Sequence, residues 1–192
     1  HIRGNPNKRG PMVQRRFLKI LSTDERVAWK EGSGRRQLAE AIASPTNPLT
    51  ARVIVNRVWQ QHFGEGIVAT PSNFGELGAR PTHPELLDYL AAQFVKGGWS
   101  LKKLHREILL STAYRRASTG DEANQRVDPE NRLLWRYSPR RLTVEQFRDS
   151  VLIAAGALQM EGSGPGQNLD DPASFRRTIF GKVSRKEPSK FL

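Results

Sequence analysis

Residues 47–116 decide the fold and read NPLTARVIVNRVWQQHFGEGIVATPSNFGELGARPTHPELLDYLAAQFVKGGWSLKKLHREILLSTAYRR. Helix-patterned segments flank one long connector, rich in Gly, Pro and Asn, at residues 64–81. The stretch also holds three of the four histidines of the chain. We therefore predict a mostly α fold: a compact helical domain with one long Gly/Pro-rich loop and extended basic N- and C-terminal segments.

The first of these helices is expected to open at Pro48-Leu49-Thr50 and to end at Gly64, where a left-handed residue commonly follows a helix. Its apolar stripe has helical spacing and comprises Ala51, Val55, Val58 and His62. The following stretch, Gly64 to Pro81, contains too many turn-forming residues for a helix. Loops of this length inside a compact domain tend to be functional or to pack on themselves.

Capping motifs predict where three further helices begin. Thr82 and Glu85 fit a capping box, and Ser100 fits an N-cap. Thr143 and Gln146 fit a second capping box. The apolar face of the helix that follows is expected to point inward and comprises Val144, Phe147, Val151, Ala154, Ala155 and Leu158. A single core is expected to bury Trp59, Phe94, Ile108 and Phe147 together.

Composition divides the chain into three regions. Residues 1–34 are expected to form an extended or looped N-terminal arm, and residues 35–160 the helical core. Residues 161–192 are expected to form a Gly/Pro-rich linker and a basic C-terminal segment, in which RRTIFGKV at 176–183 predicts an edge strand. The chain opens with neither an initiator Met nor an apolar leader, so we expect a fragment of a larger protein.

The net charge of +12 is concentrated at the two ends. Residues 1–36 carry ten basic and three acidic side chains, and residues 176–192 carry six and one. A nucleic-acid-binding domain would more typically carry a basic face on its folded body, so nucleic acid is a disfavoured partner. An acidic polymer remains an alternative partner for the basic ends.

Several classes of site are excluded by composition. The chain has no cysteine, which rules out disulfides, thiolate metal sites and covalent haem c attachment within it. No run approaches the roughly 18 apolar residues of a membrane span, so no transmembrane segment is expected. Metal-binding spacings such as HExxH are also missing, and we expect neither metal nor cofactor in this fragment.

The histidines of the central stretch are candidate site residues. His62 and His105 lie on apolar stripes, which favours a core histidine bonded to a neighbour over a catalytic role. His83 stands in the first helical turn after the long loop, beside Glu85 and Asp88. Structural and functional roles are equally open for His83.

A polar line on the first of these helices completes the candidate site. A solvated face is the default interpretation, but we prefer a network in which Asn56 and Arg57 donate to carbonyls of the loop. The candidate polar site comprises Asn56, Arg57, His62, His83, Glu85, Asp88 and His105. No motif designates a catalytic residue among them.

Four segments in order, at residues 47–68, 80–91, 98–115 and 140–152, together resemble the planctomycete PSD-one domain of unknown function. They read NPLTARVIVNRVWQQHFGEGIV, RPTHPELLDYLA, GWSLKKLHREILLSTAYR and RRLTVEQFRDSVL. The resemblance implies the C-terminal part of a large exported protein, periplasmic or extracellular, with haem c confined to a separate domain. It supplies no catalytic residue.

Three functional hypotheses follow. The first is a structural or ligand-binding module whose partners are other domains of the same polypeptide. The second is an enzyme with a His/carboxylate site near the Gly64–Pro81 loop. The third is binding of nucleic acid or an acidic glycan through the basic termini.

Overall fold

A computed structural model describes residues 2–22, 27–162 and 164–190. Its α-helices are α1 Arg35–Ala43, α2 Thr50–Phe63, α3 Pro84–Lys96, α4 Leu101–Leu110, α5 Glu122–Val127 and α6 Val144–Ala154. Short 3-10 helices lie at Ile2–Gly4, Lys19–Leu21 and Thr178–Phe180. The described residues contain no β-strand beyond isolated bridges, so the predicted mostly α fold is confirmed.

The chain divides into two compact units, His1–Ser138 and Pro139–Leu192. In the first unit, α2 packs on α3 and α4. Their buried residues form one core together with two loop residues: Ala51, Val55, Trp59, Leu87, Leu90, Ala91, Phe94, Leu104, Ile108, Ile67 and Val68. At about 25 cal/mol per Å² of apolar surface, burial of this set is the main force that holds the three helices together.

Local sequence signals explain where α2 and α4 begin and end. After α2, Gly64 adopts a φ of 89°, and its N–H donates to the carbonyl of Gln60 at 2.8 Å. A residue with a Cβ is strained at this φ, so the helix stops there. At the start of α4, the Ser100 hydroxyl accepts a hydrogen bond from the Lys103 N–H, as its N-cap position predicts.

The predicted capping box at Thr82 and Glu85 is wrong. Helix α3 begins at Pro84, with His83 at the N-cap position and no side-chain cap. The Thr82 hydroxyl instead donates to the carbonyl of Ile67 at 3.3 Å. A buried loop carbonyl therefore takes the hydroxyl that a helix cap would otherwise use.

Helix α6 begins at its predicted capping box, in which Thr143 and Gln146 bond reciprocally. Its predicted inward face is wrong, because Phe147 is 57% exposed and lies in the second unit, outside the core of Trp59, Phe94 and Ile108. The buried residue of α6 is Arg148. The other residues predicted to face inward are exposed or half-buried: Val144, Val151, Ala154, Ala155 and Leu158.

Hydrogen bonds to the C-terminal segment explain why the polar side of α6 is covered. The Arg148 guanidinium donates to the carbonyls of Ser174 and Arg176 and to the Thr178 hydroxyl. The neighbouring Asp149 accepts from the N–H and the hydroxyl of Thr178 at 2.8 and 2.6 Å. Burial opposes ionisation of Asp149, but these hydrogen bonds outweigh it and lower the pKa of the carboxyl.

The same contacts overturn the predicted edge strand at 176–183. Thr178–Phe180 is a 3-10 helix, and Gln167 exchanges backbone hydrogen bonds with Phe180 and Lys182 on either side of Gly181. Two isolated bridges, Gln159 with Arg176 and Gln167 with Gly181, take the place of a strand ladder.

Candidate functional site

Asn56 fastens the long loop to helix α2. Its side chain is completely buried. The amide nitrogen donates to the carbonyl of Val68 at 3.0 Å, and the amide oxygen accepts from the Val68 N–H at 2.8 Å. One side chain therefore satisfies both backbone groups of a buried loop residue, as a strand partner would. The predicted contact between Asn56 and a loop carbonyl is confirmed.

Close approach of the loop backbone to Asn56 depends on Gly66. A Cβ built on Gly66 would lie 2.7 Å from the Asn56 amide nitrogen and 2.7 Å from the carbonyl oxygen of Val68. Both distances are below van der Waals contact. Any side chain at Gly66 would push the loop away from α2 or break the paired hydrogen bonds.

Arg57 does not take part in this attachment. Its side chain is exposed, and within the described ranges it makes no hydrogen bond to the loop. The predicted contribution of Arg57 is therefore wrong. Position 57 lies on the solvent side of α2, next in sequence to the buried Asn56.

The remainder of the loop is held by its own polar groups. The Thr70 hydroxyl donates to the carbonyl of Asn73 at 2.7 Å and accepts from the Ala79 N–H at 2.9 Å. The N–H of Thr82 then donates to the carbonyl of Ile67 at 2.9 Å and closes the loop. This is the self-packed loop that its length and composition predict.

The His83 ring contacts the residue before it. Nδ1 of His83 lies 3.0 Å from the Thr82 hydroxyl oxygen, which in turn lies 3.3 Å from the carbonyl oxygen of Ile67. A hydroxyl both donates and accepts, so the Thr82 hydroxyl links the His83 ring to the loop.

A cavity of about 60 Å³ lies beside His83. Its walls are partly apolar and partly polar. They comprise Trp59, Phe63, Ile67, Leu134, Thr82, His83, Glu65, Gly66, Glu130, Asn131, Arg132 and Ser138. A water molecule occupies about 30 Å³ in the liquid, so this cavity has room for a group of only a few atoms.

The segment 128–136, which supplies one wall of that cavity, was not among the predicted site residues. Asp128 is buried, and its carboxylate accepts from the N–H groups of Arg132 and Leu133 at 2.9 and 2.7 Å. The Trp135 indole N–H donates to the carbonyl of Asp128 at 2.8 Å. An Asp followed by Pro is a turn signal in the sequence, but nothing there indicates which cavity the turn borders.

His62 and His105 form a pair that links α2 to α4. Nε2 of His62 lies 2.8 Å from Nδ1 of His105. The His62 ring also packs edge-to-face on Tyr114, and the Tyr137 hydroxyl donates to the His62 backbone carbonyl at 3.1 Å. One ring must donate and the other accept, so the pair holds one shared proton in its neutral state.

The remaining predicted residues lie elsewhere. Asp88 accepts from the Arg52 guanidinium at 2.7 Å in an exposed pair of the kind worth at most about 1 kcal/mol. Glu85 is exposed in the first turn of α3. The seven candidate residues therefore do not form one constellation. Among the described residues, no three His, Cys, Asp or Glu side chains are arranged to hold a metal ion.

An apolar groove lies between α3 and α4, with a volume of about 490 Å³, and we call it the α3–α4 groove. Its apolar walls include Leu86, Leu90, Ile108, Leu110, Ala113 and Leu134. Among the described residues that line it, Glu107 alone carries a charge. Its size falls within the range of about 300–1,000 Å³ that small-molecule pockets occupy.

Leu134, which lines the groove, has a strained backbone conformation. Its φ is 57°, a left-handed value that costs a residue with a side chain about 1–2 kcal/mol. Asn131, three residues earlier, has the same left-handed conformation with a φ of 55°. Its backbone carbonyl accepts a hydrogen bond from the Leu134 N–H. The Asp128 carboxylate accepts from the N–H groups of Arg132 and Leu133, which lie between these two residues, and the Asp128 carbonyl accepts from the Asn131 N–H at 3.1 Å.

The sequence assigns the chain to a family. The chain belongs to the PSD1 family of proteins of unknown function (DUF1553), whose family model matches residues 34–192. The resemblance noted in the four segments is thereby confirmed. No curated protein and no solved structure matches the chain. None of the described helices is long and apolar enough to cross a membrane.

Proposed function

We propose that the chain is a structural, ligand-engaging module of a large exported multidomain protein, and that its apolar faces pack against other domains of the same polypeptide. The observation that carries this proposal is the exposed apolar side of helix α6. The extracytoplasmic location, and haem c in a separate domain of the parent, are carried over from the family resemblance alone.

Apolar side chains are exposed in several described segments outside the α-helices. Five of them are each more than three quarters exposed: Met12, Val13, Ile20, Val27 and Val183. Scattered apolar side chains are common on protein surfaces, whereas grouped ones indicate a surface that a partner covers.

Helix α6 concentrates this surface in the second unit. Phe147 and Val151, one helical turn apart, are each more than half exposed, while Arg148 is buried against the C-terminal segment. An amphipathic helix normally turns its apolar side toward a core. The apolar side of α6 is therefore available to a surface that the described residues do not supply.

The size of the cavity beside His83 favours a module over an enzyme. A histidine side chain can serve as an acid or a base. The adjoining cavity of about 60 Å³ is several times smaller than the pockets that enclose substrates, which span about 300–1,000 Å³. A role in holding the loop on α3 accounts for the bonding of Thr82 and His83 without a substrate.

A dye that binds exposed apolar surface tests the proposal. We expect the folded chain to bind anilinonaphthalene sulfonate at pH 7, and the variant Val151→Asp to bind less of it. The thermal midpoint of this variant is expected to stay within about 2 °C of the parent chain, because little buried surface is lost. Ser150→Asp adds the same charge at a polar position of α6 and is expected to leave dye binding unchanged.

Two outcomes would contradict the proposal. In one, the folded chain binds no dye and stays monomeric at high concentration, which means that its apolar faces are already covered. In the other, Val151→Asp lowers the midpoint by more than about 5 °C while Ser150→Asp does not, which means that α6 is buried within the chain.

A further inference from the structure

We propose that the α3–α4 groove binds an amphipathic helix that presents a Lys or Arg side chain to Glu107. This inference rests on the proposed function, because it names the kind of segment that one apolar face accepts. It concerns the first unit alone and involves no residue of α6.

The first argument is the shape and polarity of the groove. Leu86 and Leu90 supply one wall from α3, Ile108 and Leu110 supply another from α4, and Leu134 lies beside them. A groove between two helices accepts the apolar stripe of a third helix. The described residues of the first unit contain no strand, so they offer no sheet edge to which an extended peptide could add.

The second argument is charge. Glu107 is the one charged lining residue in the described part of the chain, although the protein as a whole carries a net charge of +12. Hydrogen bonding to Glu107, and then the negative charge of Glu107, raise the pKa of the neighbouring Tyr89 phenol. An acidic group on an apolar groove attracts a basic side chain and repels a carboxylate. This favours a basic amphipathic helix over a fatty acid.

The third argument is the strained wall. Leu134 keeps a left-handed backbone conformation while its side chain lines the groove. Strain of this kind persists where surrounding structure imposes it, and it is common at binding sites. The Leu134 N–H donates to the carbonyl of Asn131, and hydrogen bonds to Asp128 hold the turn between them, so contacts within the chain form this wall of the groove.

Two peptides of about 15 residues, near the shortest length at which a helix persists, test the proposal. Both carry Leu at positions i, i+3, i+4 and i+7 and Gln elsewhere. One has a single Lys beside the Leu stripe, and the other has Glu in its place. Fluorescence anisotropy of the labelled peptides, at 0.15 M salt to screen long-range charge, measures their affinity for the chain.

We expect the Lys peptide to bind and the Glu peptide to bind roughly tenfold more weakly, and Glu107→Lys to reverse that order. Leu110 is 57% exposed on the groove, so Leu110→Asp is expected to weaken binding by roughly tenfold or more without unfolding the protein. Leu101 is 49% exposed on α4 but does not line the groove, and Leu101→Asp is expected to leave binding unchanged.

Three results would contradict the proposal that an amphipathic helix occupies the groove. Equal affinity of the two peptides for the chain and for Glu107→Lys would remove the role of Glu107. Decanoate that binds more tightly than either peptide would identify a lipid-like ligand. A dimer of the chain that Leu110→Asp abolishes would identify a second copy as the occupant. In each case the dye experiment on α6 reports separately on the proposed function.

Discussion

Replacement of Asn56 by alanine is expected to destabilise the protein by about 3 kcal/mol, because the N–H and the carbonyl of Val68 would both lose their partner inside the core. Each buried backbone group left without a hydrogen bond costs about 1–3 kcal/mol. Urea unfolding followed by tryptophan fluorescence measures the change. All four tryptophans lie in the first unit, so this signal follows the unit that contains Asn56.

Asn73 provides a matched control on the same loop. Its side chain is exposed and accepts a hydrogen bond from the Gly75 N–H at 3.0 Å. Asn73→Ala is expected to cost less than about 1 kcal/mol. If the two variants lose the same stability, the attachment of the loop through Asn56 has no special importance.

The second large effect separates two phenylalanines that the sequence pattern treats alike. Phe94 on α3 is 5% exposed and packs edge-to-face on Trp99, with 5.3 Å between ring centroids. Phe147 on α6 is 57% exposed. We expect Phe94→Ala to cost about 3–5 kcal/mol and Phe147→Ala no more than about 1 kcal/mol.

Circular dichroism in the far ultraviolet is the appropriate probe for this pair, because it reports helices of both units and tryptophan fluorescence does not. The unfolding transition of each variant is compared with that of the parent chain. A loss of several kcal/mol in Phe147→Ala would show that α6 packs in a core. A small loss in Phe94→Ala would contradict the core assigned to α2, α3 and α4.

Helix positions could be predicted because their signals are local. Gly64 ends α2 through a φ that glycine tolerates, and Ser100 and Thr143 cap helices that start at the next residue. Each signal acts within a few residues. The side of a helix that is covered is a different question, since an apolar stripe identifies a face and not its partner.

Helix α6 shows this limit. Its apolar spacing suggested an inward face, but the partners of Arg148 are Ser174, Arg176 and Thr178, which lie 26 to 30 residues further along the chain. Their carbonyl and hydroxyl groups cover the polar side of the helix. No local pattern around Arg148 records that a distant segment will supply these acceptors.

In the candidate site too, contacts between residues close in sequence could be predicted and contacts between distant residues could not. Asn56 was expected to bind the loop that follows its own helix, and it does. His62 and His105 are 43 residues apart, so their direct pairing depends on how α2 packs on α4. Thr82 could cap its own helix or donate to Ile67, and the burial of that carbonyl decides between the two.

Hydrogen exchange at the Val68 amide tests the central claim, that a single buried side chain on α2 fastens the loop that shapes this unit. In the parent chain we expect the protection factor of this amide to lie within about tenfold of that of core amides of α2, such as the amide of Val55. In Asn56→Ala we expect the Val68 amide to exchange at the rate of exposed loop amides. Rapid exchange of the Val68 amide in the parent chain, or unchanged protection in the variant, would contradict the account.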